Sequence, residues 1–262
     1  MASLVSHVSR LIPATTGGRW RNHAAELSLF AGCYLLYLFL RGLIFEGDAQ
    51  ALANAERVIA LETSLGIFFE EPLQQWCVTF AKPVVLLLNL VYIVTYWPVI
   101  LGAALLLYLN RHSLYNGYRN LIVAHLLLAL AIFTLFPLAP PFKTGLLADT
   151  IQLYGPSFYG SPEMASFYNT NAAMPSLHFS WTCILAWLFL REVKGWYRYL
   201  GIAYPLLTLA AILVTGNHFL LDAAVGAALI PLAYLVAKVG ERGWKKWSES
   251  QHRRFSGKPF SP

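Results

Sequence analysis

The sequence predicts an all-α, polytopic membrane bundle of about six spanning helices. Of its 262 residues, 57% are hydrophobic and only 12% are charged. Apolar runs of spanning length recur along the chain, and basic residues alternate from one connection to the next. Soluble domains carry about 25% charged residues, so half the usual solvating surface is missing. A mean hydropathy of +0.54 agrees with a chain whose solvent is a bilayer, crossed at ~20 residues per helix.

The apolar runs cover residues 27–45, 84–109, 121–136, 174–190, 199–215 and 219–237. The third and fourth reach spanning length only with their flanks. The first is longer than the apolar region of a signal peptide and is followed by no convincing cleavage site, so it is expected to remain as an anchor. Between the first two runs, Leu52, Ala55, Val58, Ile59 and Glu62 recur at helical spacing. That pattern predicts an amphipathic helix lying along the interface. Cys33, Cys77 and Cys183 are scattered in apolar surroundings; their odd number and spacing predict neither a disulfide framework nor a metal site.

Lysine and arginine then set the orientation. Arg10, Arg19 and Arg21 precede the first run, Arg111 and Arg119 lie between the second and third, and Arg191, Lys194 and Arg198 between the fourth and fifth. The tail adds Lys238, Arg242, Lys245, Lys246, Arg253, Arg254 and Lys258, making 15 of the 19 basic residues. The opposite side has Arg41, Arg57, Lys82 and Lys143 among eight carboxylates. The positive-inside rule therefore places both termini in the cytoplasm, as six spans require. The net charge of +6 reports topology and an anionic inner leaflet, not a nucleic-acid partner. Trp244 and Trp247 beside Lys245 and Lys246 fit either a tail that touches anionic lipid or a merely solvated one.

Ionisable residues at membrane depth are costly and default to functional candidates. Three clusters fall on the predicted outer face. Residues 172–178 (Ala-Ala-Met-Pro-Ser-Leu-His) open the fourth span. Residues 215–222 (Thr-Gly-Asn-His-Phe-Leu-Leu-Asp) turn into the sixth, and 136–143 (Phe-Pro-Leu-Ala-Pro-Pro-Phe-Lys) leave the third. Pro175 suits a first helical position, where the amides of Ser176, Leu177 and His178 would seat a phosphate. His178 could protonate a leaving oxygen. His218 and Asp222, four apart, would share a helical face, with the carboxylate fixing the imidazole tautomer. Attack on phosphorus by His218 and protonation by His178 make a complete double displacement. A metal held by His178, His218 and Asp222 lacks a fourth ligand of characteristic spacing. His125, with no visible partner, reads as a polar packing residue.

Pro175-Ser176-Leu177-His178 and His218-x-x-x-Asp222 resemble the second and third motifs of the type 2 phosphatidic acid phosphatase superfamily. With residues 172–174, 215–217 and Pro137-Leu138-Ala139-Pro140-Pro141, the likeness narrows to its inositolphosphotransferase branch, which includes inositol phosphorylceramide synthases. Weaker echoes occur at residues 65–70, at Asn89-x-x-Tyr92 and at Tyr115-x-x-x-Arg119-Asn120. The resemblance covers roughly residues 56–226 and implies a six-helix core, a phosphohistidine on His218 oriented by Asp222, His178 as general acid, and no required metal or other cofactor.

Three departures stand out. The branch has Arg after Ala-Pro-Pro, where this chain has Phe142 and then Lys143; Lys143 would meet phosphate as a point charge, or the seat is retuned. A family histidine is Tyr96 here. The superfamily's third-motif arginine is absent, as is ordinary in this branch. Lys143, Ser176, Asn217 and Asn171 are the expected substrate contacts, Asn171 alternatively capping a turn, as Asn169 also could. The loop 144–173, with Tyr154, Gly155, Pro156, Phe158, Tyr159, Gly160 and Pro162, is expected either to cover the site or to rest its aromatics at the interface.

The expected organisation is a cytoplasmic arm at 1–26, a membrane catalytic domain at 27–238 and a basic cytoplasmic tail at 239–262. The expected partners are a lipid phosphate substrate and membrane lipids, and the expected setting is the plasma membrane with the site facing outward. A transporter or non-catalytic relative that keeps the fold is the competing class, although the internal repeats and broken helices of transporters are not visible.

Overall fold

The computed structural model describes residues 16–44, 48–155 and 171–256. These form helices and turns with no strand; an isolated parallel bridge joins Leu138 to Ala172. The chain divides into two compact units, Met1–Gly42 and Leu43–Pro262. Helix α1, Thr16–Ile44, makes up the described part of the first and contains the apolar window His23–Leu40.

In the second unit, α2 (Asp48–Ser64) and α3 (Glu70–Phe80) precede α4, a rod over Lys82–Asn110 whose middle widens into a π turn at Val91–Thr95. Thr95 Oγ1 donates to the Val91 carbonyl at 2.8 Å within that turn. Helix α5 (His112–Leu135) leads through a 3₁₀ turn at Pro141–Thr144 to the short α6 (Thr150–Tyr154). After the undescribed stretch come α7 (Leu177–Glu192), α8 (Leu200–Val214) and α9 (Leu220–Ser256).

Among the described residues, five helical segments are long and apolar enough to cross a membrane: His23–Leu40, Lys82–Asn110, His112–Leu135, Trp196–Val214 and Leu220–Ser250. The expected fourth span, α7, has only 16 residues, or ~24 Å at 1.5 Å per residue. Its start is set by a cap at Ser176 rather than by the apolar run. It lies among α4, α5, α8 and α9 and buries Ser180, Trp181, Thr182, Ile184 and Ala186. Helix α9 continues without a break through Lys238 to Ser256, so the basic segment as far as Ser256 is helical.

The amphipathic pattern in 49–62 does form a helix, and its buried face is Ala51, Asn54, Ala55, Val58 and Glu62. This face packs on Leu138, Ala139, Ala173 and Phe219, the turns that carry the motif residues. Helix α2 therefore supports those turns directly. A second core joins α4, α5, α7 and α9 through Tyr96, Ile100, Tyr118, Leu121, Trp181, Ile184 and Ala233.

Candidate active site

The three motif turns are stitched together by backbone hydrogen bonds. Leu138 N donates to Asn171 O at 2.9 Å, and Ala173 N returns to Leu138 O at 3.1 Å. Phe142 N donates to Gly216 O at 3.0 Å, and Ser176 N to Asp222 O at 2.9 Å. The Asn54 amide adds a 2.8 Å bond to Pro137 O. Segments distant in the chain thus meet because each supplies donors and acceptors the others lack.

The turn before α9 follows from α8's ending. Gly216 adopts φ +73°, Gly216 N donates to Leu213 O, and Asn217 N donates to Ile212 O, both at 3.1 Å. This is a Schellman ending, which calls for glycine at the left-handed position. A Cβ at Gly216 would also come within 3.0 Å of Ala148 O.

His218 lies just before α9, not on its face as the four-residue spacing predicts. Asp222 is the third helical residue, and its Oδ2 reaches back to accept from Phe219 N at 2.9 Å, one half of a capping box. The same oxygen lies 3.4 Å from His218 Nδ1. A closer acceptor is Ala173 O, 2.9 Å from Nδ1. A carbonyl can only accept, so Nδ1 carries the hydrogen and Nε2 keeps its lone pair. His218 is 6% exposed and Asp222 0%.

His178 sits in the first turn of α7, its ring centroid 5.9 Å from that of His218. The rings of Tyr92 and Tyr96 pack on it at 4.5 and 4.1 Å. Tyr96, standing where the family has histidine, therefore supports His178; its hydroxyl also donates to Leu177 O at 3.3 Å. Pro175 is not the first helical residue. Ser176 takes the cap position, its Oγ accepting from Phe179 N at 3.3 Å, because a hydroxyl there satisfies an amide that proline cannot. With Ser176 N bound to Asp222 O, the amides left to the first turn are those of Leu177 and His178.

The expected substrate contacts separate into two groups. Ser176 is 0% exposed and serves as the cap. The Asn217 side chain donates to Thr215 Oγ1 at 2.9 Å, stabilising its own turn. Lys143 and Asn171 instead meet: Nζ donates to Asn171 Oδ1 at 2.9 Å and to Asp48 Oδ1 at 3.3 Å, while Asn171 Nδ2 also donates to Asp48. The Asn171 hydrogen bond, followed by the lysine charge, holds the Asp48 carboxyl below its ordinary pKa. His125 finds a partner that the sequence does not reveal: its Nε2 lies 3.0 Å from Gly226 O, a packing contact between α5 and α9. Asn169, Pro156, Phe158, Tyr159, Gly160 and Pro162 of the long loop lie outside the described residues.

Two residues that sequence reasoning missed bind the start of α9. Glu70 Oε1 accepts from Leu220 N and Glu62 Oε1 from Leu221 N, each at 2.7 Å. One signal for Glu62 was present: it occupies the apolar face of the 49–62 pattern, where a solvated carboxylate does not belong.

No curated protein and no solved structure matches the chain significantly. The family model described as PAP2 superfamily matches residues 56–236, a stretch that takes in the second half of α2, the three motif turns and both histidines. The chain belongs to the PAP2 superfamily.

Proposed function

We propose that this protein is a membrane-embedded lipid phosphatase or phosphotransferase working through a phosphohistidine on His218. The superfamily supports a phosphatase-type, lipid-related activity. The finer reading is carried by one observation: His218 Nδ1 is occupied by Ala173 O and Asp222, and the imidazole so fixed lies beside His178.

Nε2 of His218 attacks phosphorus; the P–N bond forms as the P–O bond to the leaving group breaks. His178 gives its proton to the departing oxygen. Asp222 and Ala173 O stabilise the cationic imidazole that results. Water or an alcohol then attacks phosphorus, the neutral His178 takes the incoming proton, and His218 is released. Phosphatase and transferase differ only in this second acceptor. Lys143 and Asn171 are the proposed phosphate contacts, with Asp48 as the competing acceptor when no substrate is present. The likeness to the inositolphosphotransferase branch favours transfer of an inositol-phosphate-type head group to a lipid alcohol. The basic connections favour a plasma-membrane protein with both termini inside, a 27–238 catalytic domain and an extracytoplasmic site.

The test is purified full-length protein in liposomes, with chelator, offered phospholipids and prenyl phosphates with and without lipid alcohols. Turnover that survives chelator, labels protein with acid-labile phosphate and vanishes in His218→Ala supports the scheme. The product, free phosphate or new phospholipid, decides between the two reactions. Absence of turnover from folded protein on every substrate favours the non-catalytic or transport alternative.

A further inference from the structure

The first three amides of the turn that carries His218 and Asp222 are bound by three buried carboxyls. Phe219 N goes to Asp222, Leu220 N to Glu70 and Leu221 N to Glu62. These carboxyls come from α9, α3 and α2, and all three residues are 0% exposed. Glu70 Oε2 is further used by Phe69 N at 2.9 Å. Glu62 Oε2 is buried with no hydrogen bond completed, and the carboxyl beside it is that of Glu70. Three bare carboxylates in one dry pocket would repel one another strongly, and the positive end of one helix is equivalent to only about half a charge.

We infer that Glu62 and Glu70 are positioning residues for the His218 reaction: a protonated Glu62, paired with the Glu70 carboxyl, clamps the first turn of α9 from two other helices. Glu62 holds an amide at Oε1 and Glu70 accepts one at each oxygen; an O–H at Glu62 Oε2 can be donated to a remaining lone pair of Glu70, turning repulsion into attraction. The groups that face Glu62 are Glu70 on α3 and Asp222 on α9, with His218 adjoining through Asp222. Burial, with the added charge of Glu70 and Asp222, pushes Glu62 up to about 8. Above that pH the clamp holds an extra negative charge, and the turn under His218 loosens. Neither glutamate touches the substrate; each acts by fixing the position of His218 and Asp222. The inference rests on the histidine reaction proposed above for its catalytic consequence, but not for the clamp itself.

The test uses the full-length protein in detergent with Glu62→Ala, Glu62→Gln and Glu70→Gln. Hydrogen exchange at the Leu220 and Leu221 amides is read alongside kcat and KM across pH 6–10. Glu62→Gln keeps an acceptor and is always neutral. It should retain amide protection and kcat within about threefold, while the loss of kcat that the parent shows above about pH 8 disappears. Glu62→Ala should lose protection of the Leu221 amide and on the order of 10²-fold in kcat, with KM little changed. Folded Glu62→Ala with parental exchange, kcat and pH profile overturns the inference, as does an unchanged alkaline limb in Glu62→Gln. If the parent turns over nothing yet its amide protection falls above about pH 8 and Glu62→Gln abolishes that fall, the clamp stands and the reaction reading falls instead.

Discussion

His218 Nδ1 lies closer to the backbone carbonyl of Ala173, at 2.9 Å, than to the carboxylate of Asp222, at 3.4 Å. The tautomer that leaves Nε2 free is therefore held by main chain from the neighbouring motif, and Asp222 adds charge and caps Phe219. Where a carboxylate alone fixes a catalytic histidine, its amide replacement reverses the tautomer and costs ~10⁴-fold in kcat. Here Asp222→Asn should cost about 10–10²-fold, because Ala173 O remains. His218→Ala should show no phosphoenzyme at all. Single-turnover phosphoenzyme formation in both variants checks the difference; a loss of ~10⁴-fold in Asp222→Asn would reassign the tautomer to the carboxylate.

His178 is placed by the cap at Ser176, by stacking against Tyr92 and by the tilted ring of Tyr96. As the proposed proton donor it should matter in proportion to the basicity of the leaving oxygen. His178→Gln should slow hydrolysis of alkyl phosphate esters by about 10²–10⁴-fold and that of a nitrophenyl ester much less. Rates on the two substrate types compared side by side provide the check. Equal losses on both would mean that the ring positions phosphate and does not deliver a proton.

The helices and the motif words were legible in the sequence because apolar period and basic asymmetry are local signals. The amphipathic 49–62 segment shows the limit. Its spacing gave the helix, but its burial against Leu138, Ala139, Ala173 and Phe219 is a tertiary fact that no local pattern encodes. For the same reason Pro175 and His218 each fall just outside the helix expected to hold them. Helix starts are decided by which side chain satisfies the first amides, and at α9 two of those side chains arrive from 150 and 159 residues away. The pairing of Lys143 with Asp48 is equally hidden, since no local pattern links two charges 95 residues apart.

Gly216 ends α8 in a left-handed conformation and lies tight against Ala148 O. An alanine there would bear a strain of about 1–2 kcal/mol for the left-handed backbone and would crowd the carbonyl as well. Gly216→Ala should melt about 2–8 °C lower in detergent. It should also lose activity, because the displaced turn carries His218 two residues on. Gly240→Ala, in α9 with nothing near its Cβ, is the matched control and should melt no lower than the parent.

Glu62 makes the last prediction, on stability alone. Burial, chiefly, with Glu70 and Asp222 beside it, raises its carboxyl from an ordinary 4.5 to about 8. Folding therefore takes up a proton between those values. The stabilising contribution is complete below the ordinary value, declines as pH rises and is gone once pH passes about 8. This is opposite in sign to the familiar acid denaturation of paired carboxylates, which are stabilising above their depressed pKa. The melting temperature of the parent should accordingly fall between pH 6 and pH 9 in detergent of fixed composition, while Glu62→Gln, with no proton to lose, should follow a flatter curve. Glu71→Gln controls for carboxylate removal as such, since Glu71 lies on α3 outside this pocket. Parallel curves for the parent and Glu62→Gln would show that Glu62 is ionised in the folded protein throughout this range, which removes the protonated clamp.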